Sequence, residues 1–239
     1  MRILLLAKHG QLGWELHRTL QPLGEVIALD YPEIDLISPD SIRVTVQKSQ
    51  PGLIINATVY TDVDPAESEP EIAMAVNDIA PGILAETARQ LGATIIHYST
   101  DYAFDGTKDT LYIETDTPNP ISVYGHSRIV TDQVSNPTAA RILSKATSQL
   151  LLYCGIYHLA SDGYASRFDF TKTILQYDPL PEEHIFADIQ STSTDEFPLP
   201  ARRPQFSALD CEKFKRTFNI SLPPWQEALK LVMEEIPRK

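Results

Sequence analysis

Cysteine is scarce. Cys154 and Cys211 are the only two, and they form neither a metal-ligand spacing nor a disulfide framework. Two reduced thiols in a cytosolic protein is the reading this supports. Basic runs are also missing. Lys and Arg number 20 against 32 Asp and Glu, for a net charge of −12. Phosphate contacts need clustered Lys and Arg, so no nucleic-acid partner is expected. The acidic balance bears on solubility and says little about fold. Long apolar runs are absent as well. The first, Ile3 to Ala7, is far shorter than the roughly 20 residues of a spanning helix, and it has no secretory h-region or cleavage site. The expectation is a soluble, cytoplasmic protein with no membrane partner.

What is present is enough apolar material for a core: 239 residues, 43% hydrophobic. That length suits one good-sized domain, or a nucleotide-binding domain with a small appendage. The first half alternates strands and helices. Ile3 to Leu6, Val26 to Leu29, Leu53 to Ile55 and Thr94 to Tyr98 read as strands; the short continuous apolar runs among them suit strands buried on both faces. Gln11 to Leu20 and Glu71 to Leu91 read as helices, the second closed by Gly92, and Ser38-Pro39-Asp40 reads as a helix start with proline at the first helical position. Strand–helix alternation predicts βαβ units, a parallel sheet and ligands beyond the carboxyl ends of its strands. Gly10, Asp30, Asn56 and Ser99-Thr100-Asp101 all fall there. The second half is less regular: loop from Thr110 to Val123, helices over Pro137 to Leu152, Tyr164 to Gln176, Cys211 to Phe218 and Trp225 to Glu235, a strand over Gly155 to Ala160, and an extended stretch from Pro179 to Pro204.

Three groups of residues suggest chemistry. In Ala7-Lys8-His9-Gly10-Gln11-Leu12-Gly13, a turn between a first strand and a helix would let backbone N–H groups face a pyrophosphate. Ala7 holds the place of a first glycine, where a methyl group crowds the turn or demands φ > 0; an ordinary βα turn is the alternative. Asp30 ends the second strand, where a carboxylate accepts from an adenosine ribose; a surface strand-end aspartate is the alternative. With no arginine following it, Asp30 favours NADH over NADPH. The third group is Tyr98-Ser99-Thr100-Asp101-Tyr102 with Tyr124-Gly125-His126-Ser127-Arg128. Ketone reduction needs a hydride, a hydroxyl to polarise the carbonyl and a proton donor. A tyrosine serves as donor when a cation on the same helix face lowers its pKa. Arg128 has the spacing for that cation, but it is planar, bulky and always charged. The scattered histidines read as structural or exposed, and Trp14 and Trp225 as packing residues. Asp62 to Glu67 reads as a solvated helix start, and no metal site is expected.

Together these stretches resemble the dTDP-4-dehydrorhamnose reductases, a family of extended short-chain dehydrogenase/reductases. The resemblance rests on Gly10 to Leu16, Asn56 to Thr61 with Val63-Asp64, Ala66 to Glu69, Val76-Asn77 and His97 to Tyr102 followed by Phe104-Asp105-Gly106. Downstream it continues through Asp132 to Thr138, Gly155 to Ala160, and Arg203-Pro204 with Ser207 and Leu209-Asp210. It implies an α/β fold, a Rossmann-like doubly wound parallel sheet with a small C-terminal substrate subdomain. It also implies NADPH or NADH as cofactor and reduction of the 4-keto group of dTDP-4-dehydrorhamnose to give dTDP-L-rhamnose for polysaccharide. Carried over, Gly10, Gln11, Leu12 and Gly13 hold the pyrophosphate; Asp30, Asp35 and Leu36 meet the adenosine; Val59, Tyr60, Thr61 and Tyr98 flank the nicotinamide half. Thr100 polarises the keto group, Asp101 holds the sugar and Tyr124 donates the proton. Some relatives dimerise, so a homodimer is a further expectation.

Two departures qualify this. Ala7 replaces a glycine. After Ser127 the sequence passes at once to Arg128-Ile129-Val130, which looks like the strand that in the family precedes Asp132. Several dozen residues would then be missing, the catalytic lysine and a substrate-binding tryptophan among them. Residues 1–127 would form the dinucleotide-binding domain and 128–239 the rest of the sheet with the substrate subdomain. The fourth strand would be an open edge unless Gly155 to Ala160 moved beside it. Without its lysine, nothing in the pattern lowers the Tyr124 phenol from the ordinary value of about 10. The expectation is an impaired reductase, with a non-catalytic dinucleotide-binding or regulatory homologue as the alternative.

Overall fold

Ile3, Leu4, Leu5 and Leu6 are all fully buried, and this run forms the centre of the sheet. In a computed structural model that describes residues 1–127, 135–150, 154–183, 189 and 199–236, strand β1 (Arg2–Leu6) pairs with β2 (Glu25–Leu29) on one side and β3 (Leu53–Asn56) on the other, and β3 pairs with β4 (Thr94–His97). All three pairings are parallel, in the order β2-β1-β3-β4. Burial explains the order. The buried apolar runs Ile3 to Leu6 of β1 and Leu53 to Ile55 of β3 take the inner places, while β2 and β4 show partial exposure at the two ends.

Alternate residues of β1 face opposite layers, as the two-residue period of a strand requires. Leu4 and Leu6 pack with Ile42 and Val46 of α2 (Pro39–Ser49) and Ile83, Leu84 and Ala88 of α5 (Ala80–Leu91). Ile3 and Leu5 pack with Leu16 and Leu20 of α1 (Gln11–Leu20). Helix α7 (Ala140–Thr147) lies against α1 on this second side. Layers on both faces of a parallel sheet make the fold doubly wound α/β, as expected. Between β3 and β4 come α3 (Val63–Ser68) and α4 (Pro70–Met74), and after β4 the short α6 (Val123–Ser127). Helices α8 (Arg167–Tyr177), α9 (Glu212–Phe218) and α10 (Trp225–Glu234) complete the described elements.

Ser38 caps α2 as the sequence indicates, its hydroxyl accepting from Ser41 N at 3.3 Å. Several expectations need correction. The helix expected over Glu71 to Leu91 is interrupted by a π turn at Ala75–Ile79. Pro81 has no N–H for the Asn77 carbonyl and its ring would strike that carbonyl in a regular α-helix, so the chain widens there. Gly155 to Ala160 is not a strand. Its polar groups are taken elsewhere: His158 N donates to Glu114 Oε1 at 2.9 Å and His158 Nδ1 lies 3.0 Å from the Tyr112 carbonyl. It does not pair with β4, which borders the sheet among the described residues. Helix α7 begins at Ala140, with its N-cap Ala139 extended, and not at Pro137. Trp14 is 53% exposed, beneath the Arg18 guanidinium, and is not a core residue; Trp225 is buried as expected. The strand expected over 128–130 lies outside the described residues.

Candidate functional site

The turn after β1 is tight. Ala7 takes φ +68°, the left-handed region that a glycine would occupy without steric cost. Gly10 is the N-cap of α1, in extended conformation, and no side chain caps the helix. Gly10 and Gln11 are exposed and Leu12 half-buried. The first N–H groups of α1 thus face solvent with the positive end of the helix behind them, a suitable seat for a phosphate. Gly13 lets helix and strand approach: a Cβ there would lie 1.7 Å from the Ala7 carbonyl oxygen.

Asp30 follows β2 beside this turn. Its Oδ2 accepts from His9 N at 3.1 Å and its Oδ1 from Tyr31 N at 2.9 Å. Asp30 N donates to Glu33 Oε2 at 3.1 Å, and Lys8 Nζ donates to Glu33 Oε1 at 2.5 Å. The Lys8 ammonium, with the Asp30 N–H behind it, holds the Glu33 carboxyl below the usual range. Asp35 turns inward on its own loop, with Oδ1 accepting from Ile37 N at 2.9 Å, and Leu36 packs partly against the α2–α5 core.

Beyond β3, Asn56 is fully buried. Its Nδ2 lies 3.0 Å from His97 Nδ1, and its Oδ1 accepts from Thr58 N at 3.2 Å and Thr58 Oγ1 at 2.5 Å. This ties the carboxyl ends of β3 and β4 together. Val59 and Thr61 are exposed, and Tyr60 between them is clamped at its backbone: its N donates to Asn77 Oδ1 at 2.8 Å and its O accepts from Asn77 Nδ2 at 3.2 Å. The π turn thus presents Asn77 to the loop. Tyr98 stands on the α1 side, where its hydroxyl donates to Thr147 Oγ1 of α7 at 2.8 Å; burial pushes the phenol pKa up.

After β4, Thr100 Oγ1 donates to Asp101 Oδ1 at 3.2 Å, and Ser207 Oγ, fully buried, donates to Asp101 Oδ2 at 2.6 Å. Burial raises the Asp101 pKa against the opposing pull of Ser207 and Thr100. Tyr124 lies in α6, which packs against the 3₁₀ turn Asp101–Ala103. It is buried in a cluster with Tyr102, Val63, Ala66 and Ala201. Val123 N donates to Glu67 Oε1 and Gly125 N to Ser122 Oγ, at 2.9 and 3.0 Å, which fixes the start of α6. Arg203, its side chain 3% exposed, pairs with Asp64 at 2.8 Å and draws the 201–207 segment onto α3.

The structure therefore sets the Gly10–Gly13 turn beside Asp30, and Thr100 beside Asp101, all past the carboxyl ends of parallel strands. It places Tyr124 on a helix against the turn that follows Thr100. Asn56, Asn77, Glu67, Ser207 and Arg203 hold these parts in place. The sequence marks Asn56 as a strand-end polar residue and the resemblance covers the other four, but their partners do not follow from sequence pattern. No described helix is long and apolar enough to cross a membrane, and no group of His, Cys, Asp and Glu able to hold a metal ion gathers among the described residues.

Comparison with known proteins gives the family. The model of the RmlD substrate binding domain family matches residues 1–129 and 126–237. The dTDP-4-dehydrorhamnose reductase of Shigella flexneri is 32% identical over 293 aligned residues, covering 99% of this chain and 98% of that protein. The reductase of Burkholderia thailandensis is 33% identical over 99% of both. With 293 aligned positions and 239 residues in this chain, at least 54 positions of the Shigella alignment meet no residue here. Among solved structures, a dTDP-4-dehydrorhamnose reductase from Clostridium acetobutylicum superposes with TM-score 0.89 at 27% identity, covering 98% of this chain and 99% of that one. Another, from Bacillus anthracis in complex with NADP, gives 0.88 at 26% identity over the same shares. The chain belongs to the dTDP-4-dehydrorhamnose reductase family, that of the RmlD substrate binding domain.

Proposed function

We propose that this protein binds NADH or NADPH along the carboxyl ends of β1, β2 and β3 and reduces the 4-keto group of dTDP-4-dehydrorhamnose to dTDP-L-rhamnose, at a rate well below that of a complete family member. The observation that carries the binding half is the β1–α1 turn. Gly13 fits a backbone approach that a Cβ would block, and the α1 N-terminus faces outward uncapped. Gly10, Gln11 and Leu12 would hold the pyrophosphate, and Asp30, with Asp35 and Leu36 nearby, the adenosine. Val59, Tyr60, Thr61 and Tyr98 would line the nicotinamide half. When bound, the dinucleotide supplies a hydride. The chain's own residues supply the rest: Thr100 polarises the keto oxygen, Asp101 positions the sugar and Tyr124 delivers a proton to the alkoxide oxygen. For Thr100 to face the substrate its hydroxyl must leave Asp101, and Ser207 keeps the carboxylate hydrogen-bonded when it does.

The rate half rests on the junction of the two family matches at 126–129 and on the unfilled positions of the alignment. They support an internal deletion after the Tyr124 helix, which would remove the cation that assists the phenol. General acid–base assistance is worth about 10²–10⁴-fold. The same observation favours a second reading, a dinucleotide-binding homologue with no turnover. In either reading residues 1–127 form the dinucleotide-binding part, 128–239 contribute the substrate side, and the protein works in the cytoplasm. Titration with NADH and NADPH, followed by thermal shift, tests the shared premise. Saturable binding with a raised Tm is expected; absence of binding by either cofactor would remove both readings.

A further inference from the structure

We propose that Glu33, by holding Lys8, sets this site's preference for NADH over NADPH. The inference rests on the dinucleotide reading above and concerns the corner beside Asp30, where an adenosine ribose would lie. The two dinucleotides differ there by one group: NADH offers a 2′-hydroxyl, which a carboxylate accepts, and NADPH a 2′-phosphate, which needs a cation. Each oxygen of Asp30 receives one backbone N–H, from His9 and from Tyr31, and keeps a further lone pair for a hydroxyl.

The cation at this corner comes from the turn before Asp30 and not from the residues after it. Lys8 stands in the β1 turn, yet its ammonium is already taken, 2.5 Å from Glu33 Oε1. Glu33 is in turn fixed by its other oxygen to Asp30 N at 3.1 Å, so both carboxylates and the lysine form one cluster. Two carboxylates against one ammonium leave the corner net negative, and a 2′-phosphate of charge about −2 is repelled. Removing the Glu33 charge leaves one carboxylate against one free ammonium. The Lys8 and Glu33 side chains are 24% and 46% exposed, so solvent screens the pair and little of the fold depends on it. For the loss of one negative charge from this corner, in a largely aqueous setting, the expected change in NADPH affinity is about tenfold.

The test is the Kd of NADH and of NADPH, measured by fluorescence titration at low and high salt. The proteins are the wild type, Glu33→Gln, and the double variant Lys8→Gln/Glu33→Gln. Wild type should bind NADH more tightly. Glu33→Gln should bind NADPH about tenfold more tightly than wild type while its NADH affinity stays within about twofold, and the gain should shrink as salt rises. The double variant should lose the gain. An unchanged NADPH-to-NADH ratio in Glu33→Gln, a gain that survives loss of Lys8, or a wild type that prefers NADPH would overturn the proposal while leaving the dinucleotide reading intact. Binding of neither cofactor to any of the three proteins would overturn both.

Discussion

Asp64 and Arg203 form a pair whose two halves should be unequal in cost. The Arg203 side chain is 3% exposed and that of Asp64 33%. Arg203 Nη2 donates to Asp64 Oδ2 at 2.8 Å and Nη1 to the Ala201 carbonyl at 2.7 Å, while Ala201 N donates to Asp64 Oδ1 at 3.1 Å. Asp64→Ala removes the carboxylate partner of a buried guanidinium and orphans Ala201 N. Removing one partner of a buried pair costs about 3–5 kcal/mol, and the solvent that reaches Asp64 places this case near 3 kcal/mol. Arg203→Met leaves a carboxylate that water can hydrate and that still accepts from Ala201 N, at about 1–2 kcal/mol. For a chain of this size those losses lower Tm by roughly 6–12 °C and 2–8 °C. Urea unfolding with an unchanged m-value is the assay. The Arg203 bond, then the Ala201 N–H, lower the Asp64 pKa. Its contribution is therefore present above the unfolded value and lost as pH falls through the folded one. The gap between wild type and Asp64→Ala should hold at neutral pH and close below about pH 4. Equal costs, or a larger cost for Arg203→Met, would refute the reasoning.

Ala7→Gly should relieve the left-handed conformation at φ +68° and raise stability by about 0.5–1 kcal/mol after the added freedom of the unfolded chain is counted; differential scanning calorimetry checks it. Gly13→Ala should cost more than about 3 kcal/mol, because its Cβ meets backbone atoms of Ala7 at 1.7 and 2.6 Å and no flexible side chain can yield. Loss of dinucleotide binding should accompany the lower melting temperature. Asp101→Asn should stabilise the fold. A carboxyl whose folded pKa is raised by burial contributes stability at low pH that is lost as pH rises through that pKa; asparagine has no such loss and keeps one oxygen to accept from Ser207. Tm should rise at pH 7, with the gain vanishing towards pH 3, while any reductase activity falls.

The sheet is legible in the sequence because its strands are continuous apolar runs and its first helices carry ordinary start and stop signals. An unbroken apolar run marks a strand buried on both faces, and the full burial of Ile3 to Leu6 at the centre of the sheet agrees. The π turn is not legible, since Pro81 permits either a helix start or a widened helix; in the fold the chain widens and Asn77 bonds to the Tyr60 backbone. Gly155 to Ala160 has strand-like composition, but Glu114 and Tyr112, more than forty residues away, claim the hydrogen-bonding groups of His158. In the candidate site, the glycine turn and the Thr100-Asp101 pair stand out as motifs. Which contacts fix the site is not legible: Ser207 reaches Asp101 across 106 positions and Arg203 reaches Asp64 across 139. Lys8 is hidden as the ribose-corner cation because it precedes Asp30 by 22 positions, and only the fold brings its turn beside that carboxylate.

On the proposed reading a dinucleotide and substrate site survives in this chain and its proton transfer is slow. Oxidation of NADH in the presence of dTDP-4-dehydrorhamnose, measured for the wild type beside Tyr124→Phe and a complete family member, tests that claim most directly. Saturable turnover is expected, some 10²–10⁴-fold below the complete enzyme and above Tyr124→Phe. A wild type indistinguishable from Tyr124→Phe, or one as fast as the complete enzyme, would contradict it.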